Sequence, residues 1–198
     1  CHLFSVRNDG SHEILTKLLP SLSEKILQVP DPGLIFKHEY PRKTNIENGF
    51  FQPAWNNGHD VIKSRNLTND NLDKINNVIE ATNMKVLPHT IKDYNFPISS
   101  EDRFIWSKDE FLNLVKYNNF MDIFKEYQRY DYGVVMRGHG QLCSIGLNIP
   151  SIYYSTQDKV LHFSNKNGFD DYTVDITEVD WNNKLKRKID RLKTDKVY

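Results

Sequence analysis

Cysteine is nearly absent from this chain, which has two in 198 residues, Cys1 and Cys143. One is terminal and the other lies in an apolar stretch. That excludes a disulfide framework and favours a reducing compartment. No C-x-x-C or H-E-x-x-H spacing occurs, so no metal-ligand pattern is visible. Long apolar runs are missing too: nothing approaches the ~20 apolar residues of a bilayer-spanning helix. The chain does not open on a basic, apolar, small-residue series, so no signal peptide is visible, and its start at Cys1 reads as that of a trimmed chain or fragment. Neither charge is in excess, with 26 basic and 26 acidic residues. Whole-chain attraction to nucleic acid or to an anionic membrane is therefore not indicated, although a local basic pocket stays open. The expectation is a cytoplasmic protein, free or peripheral to a membrane. The sequon Asn66-Leu67-Thr68 would matter only in a secreted chain.

What is present is the composition of a globular domain, 38% hydrophobic and 26% charged. The length suits one well-buried domain plus part of another. Leu3–Val6 and Ile26–Val29 read as strands around a helix from Ser11 to Leu19, and Pro30-Asp31-Pro32 stops the second strand. This unit is too small to stand alone. Residues 1–37 are assigned as the end of an N-terminal α/β domain, 38–48 as a polar linker and 49–198 as a C-terminal domain. In the last, Gly49–Ala54, Met84–Leu87, Phe104–Trp106, Tyr132–Met136, Ile152–Tyr154 and Tyr172–Asp175 read as strands. Helical stripes through Leu72–Ile79, Phe111–Val115, Phe120–Tyr127 and Leu185–Leu192 alternate with them. The fold class is α/β, a Rossmann-like parallel sheet covered on both faces.

The chemistry concentrates where the most apolar strand ends, at Arg137-Gly138-His139-Gly140-Gln141. Ligands of open α/β sheets bind at the carboxyl ends of strands. A helix start there offers backbone N–H groups to an anion. Arg137 supplies a fork matched to phosphate or carboxylate. Gly138 and Gly140 permit close backbone approach. His139 can move a proton near neutral pH. The same residues also suit a plain tight turn with an arginine and a histidine as caps. The next strand is followed by Ser155-Thr156-Gln157-Asp158-Lys159, offering hydroxyls, an amide and an ammonium at the same edge, or simply a solvated turn. His89 ends another strand and either lines the cleft or caps a turn. Trp55 either stacks on a ligand or packs. Cys143 reads as a small buried apolar residue, and Lys184, Lys186, Arg187 and Lys188 as a solvated helix face.

Arg137-Gly138-His139-Gly140, Gly146–Ile152, Lys159-Val160 and Asn167-Gly168 together resemble the C-terminal domain of the polysaccharide pyruvyltransferase family. Ser5-Val6-Arg7 with Asp9 and Ser11, then Pro30-Asp31-Pro32, resemble its other recurrent elements. Two departures stand out. Gly138 occupies a position more usually leucine, and Asn8 intervenes between Arg7 and Asp9, so Asp9 receives no role. The resemblance implies a two-domain fold of the GT-B kind and transfer of pyruvate from phosphoenolpyruvate to two hydroxyls of a sugar, as a ketal. Phosphoenolpyruvate carries two anionic groups, so Arg137 and Arg7 become its expected partners, with Lys159 a further candidate. His139 becomes the acid or base; Gly138, Gly140, Gln141, Ser155, Gln157, Lys159 and His89 become candidate substrate contacts. Donor and glycan acceptor are the implied partners, with no metal or organic cofactor and no nucleic acid. The competing readings are a GT-B glycosyltransferase or epimerase that binds a nucleotide-sugar, and a non-catalytic domain that binds glycan or a protein partner.

Overall fold

The computed structural model describes residues 4–7, 11–29, 41, 45–55, 68–117, 120–156 and 158–194. Strands β1 (Phe4–Arg7) and β2 (Ile26–Val29) pair in parallel through helix α1 (Ser11–Leu18) and the 3-10 turn Pro20–Lys25. They form their own two-stranded sheet. The following strands are β3 (Gly49–Gln52), β4 (Lys85–Val86), β5 (Tyr132–Val135), β6 (Ser151–Ser155) and β7 (Thr173–Asp175). They make one parallel sheet in the order β4-β3-β5-β6-β7. Helices α2 (Asn69–Ala81), α3 (Lys108–Lys116), α4 (Phe120–Gln128), α5 (Gly138–Gly146), α6 (Asp158–Lys166) and α7 (Trp181–Thr194) connect and cover it.

The strands read as continuous apolar runs because both faces are buried. Phe51, Val134, Ile152, Tyr154 and Val174 point to one face. There they meet Leu72, Ile75 and Ile79 of α2 and Trp181, Leu185 and Ile189 of α7. Their neighbours in sequence, Phe50, Val135 and Tyr153, point the other way, towards Tyr127, Leu147 and Val160. The period of two thus splits each strand between two cores. Two glycines are fitted to this packing. In the β3–β5 register Gly49 faces Tyr132 and Phe50 faces Gly133. A Cβ on Gly49 would overlap the Tyr132 ring, and one on Gly133 would fall 2.5 Å from Phe50 Cζ.

One expected strand is absent. Phe104–Trp106 makes a single bridge, with Phe104 opposite Val86 and Ile105 N donating to Val86 O at 3.0 Å. The 3-10 turn Glu101–Arg103 precedes it, and Ser107 already caps α3, accepting from Glu110 N. Too few residues remain between those stops for a ladder.

The two sheets meet through α6. Lys166 pairs with Glu13 of α1, and its Nζ also donates to Gln28 of β2 at 3.0 Å. Ile14, Leu18 and Leu27 of the small sheet's unit remain exposed. Among the described residues no helix is long and apolar enough to cross a membrane.

Candidate functional site

The strand order places a switch point between β3 and β5. The chain leaves β3 for α2 on one face and leaves β5 for α5 on the other, since β4 lies outside β3 and β6 outside β5. In such sheets the crevice beyond the carboxyl ends of the two divergent strands is the ligand site. Pro53, Trp55 and Arg137 lie at those ends, and Thr90, His89 and Asp93 follow β4 beside them.

Asp93 organises this corner. It is fully buried and sits in the 3-10 turn Ile91–Asn95. One oxygen accepts from Trp55 N at 3.1 Å and from Arg137 Nη2 at 2.5 Å. The other accepts from His89 N and Thr90 N, each at 2.8 Å. A buried carboxylate persists only when its lone pairs are filled, and here four donors from three chain segments fill them. Nothing in the sequence reading singled it out, although Thr90-Ile91-Lys92-Asp93 has the spacing of a helix-start capping box.

Arg137 is correspondingly a clamp, with only 13% of its side chain exposed. Besides Asp93, its Nε donates to Pro53 O at 3.2 Å, and its Nη2 reaches Trp55 O at 3.5 Å and Thr90 Oγ1 at 3.4 Å. Nη1 is the arm that donates to no described residue. The fork expected to meet an anion is thus mostly engaged in joining the ends of β3 and β5 to the β4 turn.

The rest of the motif divides between interior and surface. No separate turn follows β5: Arg137 occupies the N-cap position of α5 without a side-chain capping bond, and Gly138 is already helical. Gly138, His139 and Gly140 therefore carry the N–H groups that a helix start leaves without an intrahelical partner. Gly140 is buried, and a Cβ there would overlap Gln52 Oε1 and Val135 Cγ1. Its bareness makes room for Gln52. Gln52 is itself buried, and its Nε2 donates to the Tyr127 hydroxyl. Gln141, expected to contact substrate, points inward and donates to Ser164 of α6 at 2.8 Å.

His139 is exposed, and its ring stacks on His89 with centroids 5.8 Å apart and planes 9° off parallel. Burial pushes the His89 imidazole down to about 4, and the nearby Arg137 and His139 charges push the same way. His89 is therefore a neutral ring at physiological pH, capable of accepting or donating one hydrogen bond. The structure thus brings His89, Arg137 and His139 together.

Ser155 is buried at the end of β6, opposite Asp175. Gln157, the side chains of Arg7 and Lys159, and residues 30–32 and 66–67 lie outside the described residues. Trp55 packs edge-on to Phe96 at 5.7 Å. Cys143 is half-buried against the α4 side of the core. The basic α7 face is solvated and partly paired, with Lys184 to Glu178 at 2.7 Å and Arg187 to Asp180 at 3.2 Å. Among the described residues no three His, Cys, Asp or Glu side chains gather as a metal-ligand set.

The chain thus sets an Arg-Asp clamp and a histidine pair at the switch point of a parallel α/β sheet. The family model described as polysaccharide pyruvyl transferase matches residues 1–158. This chain belongs to the polysaccharide pyruvyl transferase family. The matched span includes the Arg137–Gly140 motif and ends before Lys159 and Asn167-Gly168. No curated protein and no solved structure matches the chain.

Proposed function

We propose that the protein transfers a pyruvyl group from phosphoenolpyruvate to two hydroxyls of one sugar unit of a glycan, forming a ketal, and that the crevice at the β3–β5 switch point is its donor site. The observation that carries this is the exposed His139 stacked on a neutral His89 beside the buried Arg137–Asp93 pair, in a member of this family. In the reaction the methylene carbon of the donor gains a proton. The first sugar oxygen bonds to the central carbon, phosphate leaves with the electrons of its C–O bond, and the second oxygen takes its place. Two hydroxyl protons are released in all: one balances the proton gained by carbon and the other goes to the departing phosphate. His139 delivers or removes these protons, since it is the exposed titratable group in the motif. Arg137 Nη1 and the N–H groups at the start of α5 meet the donor's anionic end. Arg7 and Lys159 are the further cations of the scheme. His89, held neutral, keeps the His139 ring in place without adding a second charge. The scheme requires neither metal nor organic cofactor.

The exposed Ile14, Leu18 and Leu27 support a two-domain arrangement of the GT-B kind, because an apolar flank on a two-stranded unit calls for more of an N-terminal domain to cover it.

The test is phosphate release from phosphoenolpyruvate by the full-length protein, with a galactoside or an aminosugar as acceptor. His139→Gln keeps a hydrogen bond but carries no proton, and should lower turnover by about a hundredfold or more with folding unchanged. Near-full turnover in His139→Gln would leave the histidine a positional role only. Consumption of a nucleotide-sugar, with no activity on phosphoenolpyruvate, would replace this reading with a glycosyltransferase.

A further inference from the structure

The crossover between β4 and β5 encloses a second feature that the donor site does not use. A cavity of about 570 Å³ opens there, with Tyr94, Phe104 and Trp106 on its wall and Glu101, Asp102 and Lys108 around it. That volume lies within the ~300–1,000 Å³ of small-molecule sites. Tyr94 directly follows Asp93, so the single turn Ile91–Asn95 anchors Arg137 on one side and walls the cavity on the other.

The wall is built and held. Tyr94 and Phe104 stack with centroids 4.6 Å apart. The Tyr94 hydroxyl lies 3.0 Å from Trp106 O and 3.1 Å from Ser107 O, to which it donates. Burial pushes the Tyr94 phenol up, so it stays a donor. Trp106 is half-buried, and no described residue accepts from its indole N–H. Glu110 is engaged, accepting from Ser107 N at 2.7 Å and Ser107 Oγ at 2.8 Å. Glu101 and Asp102 are exposed, and their carboxylates pair with no described residue.

This chemistry selects its occupant. Aromatic faces take the C–H faces of a sugar ring, and an unpaired indole N–H donates to a hydroxyl. Carboxylates accept from sugar hydroxyls and repel phosphates. Three carboxylates, Glu101, Asp102 and Glu110, stand against one ammonium, Lys108, so the cavity disfavours a phosphorylated donor. We propose that this cavity is a glycan subsite that binds a neutral or amino-sugar unit of the acceptor beside the unit that reacts. The proposal rests on the reading of the chain as a pyruvyltransferase with a glycan acceptor. It also sorts the ligands by charge, with the anionic donor at the Arg137 end of the turn and the non-reacting glycan unit at the Tyr94 end.

The experiment is direct binding to the full-length protein without phosphoenolpyruvate, by saturation-transfer NMR and calorimetry. The probes are lactose, N,N′-diacetylchitobiose and free glucuronic acid. One of the two neutral probes should bind, and glucuronic acid should bind at least about tenfold more weakly. Trp106→Ala should weaken the neutral probe about tenfold, and Trp106→Phe by much less, because the ring face is retained. The double variant E101Q/D102N, whose side chains are solvated, should weaken it without loss of fold and leave the KM for phosphoenolpyruvate unchanged. It decides the matter if Trp106→Ala fails to fold. Absence of binding by both neutral probes, unchanged affinity in E101Q/D102N or in a folded Trp106→Ala, or equal binding of glucuronic acid overturns the subsite. If the sugars bind as expected but phosphoenolpyruvate is not consumed, the donor reading fails and the sugar site stands.

Discussion

Replacing Asp93 by asparagine removes the charge under the candidate site while keeping its shape. The carboxylate accepts from Arg137, Trp55 N, His89 N and Thr90 N, two donors on each oxygen. An asparagine has one acceptor oxygen, so in either amide orientation its N–H2 faces two donors. Arg137 is then left largely buried without its partner. Breaking a buried ion pair from one side costs about 3–5 kcal/mol, most of it from the stranded charge. For a slope of about 2 kcal/mol per molar urea, the unfolding midpoint should fall by about 2 M. Asp70→Asn is the matched control. Its pair with Lys74 is exposed, so the loss should stay within about 0.5 kcal/mol. Because the cost sits in one network, adding Arg137→Gln to Asp93→Asn should destabilise by less than the sum of the two single changes. Equal midpoints for Asp93→Asn and Asp70→Asn would refute the idea that the carboxylate holds this corner together.

Two further outcomes follow from the same geometry. Gly133→Val places a branched side chain against the Phe50 ring across the β3–β5 register, and should cost about 1–3 kcal/mol by thermal unfolding. A Phe50→Leu background should relieve part of that loss, and an unchanged Tm would contradict the packing. Acid sensitivity should trace to His89, whose folded value near 4 lies below its ordinary one. A depressed histidine stabilises the fold fully above about pH 6.5, and that contribution fades as pH falls through 4. The gap corresponds to about 3 kcal/mol, so His89→Gln should flatten the urea midpoint between pH 7 and pH 4, and parallel profiles would discount His89.

The sheet was legible because its strands are buried on both faces. Tyr132–Met136 and Ile152–Tyr154 are unbroken apolar runs, and only a doubly covered parallel sheet accommodates such runs in alternation with amphipathic helices. Phe104–Trp106 has the same local composition, yet a 3-10 turn before it and the Ser107 cap after it leave only a bridge. The site was legible where it sits at a strand end, as for His89 and Arg137. It was hidden where it depends on distant chain. Asp93 acts on Trp55, 38 residues before it, and on Arg137, 44 after it. Gly140 is set by Gln52, a residue of a neighbouring strand.

That distinction orders the experiments on the motif itself. Arg137 is clamped, Gly138 begins the helix, and Gly140 is filled by a neighbour. Changes at Arg137 or Gly140 therefore disturb the join of β3, β4 and β5 as well as any ligand contact, and a loss of activity there would not separate binding from folding. His139 is the exposed member of the four, and its ring contact is one stacked face with His89. A change in rate without a change in stability can consequently be read most cleanly at His139. It is the position at which the chemistry proposed for the crevice, and not its construction, is open to measurement.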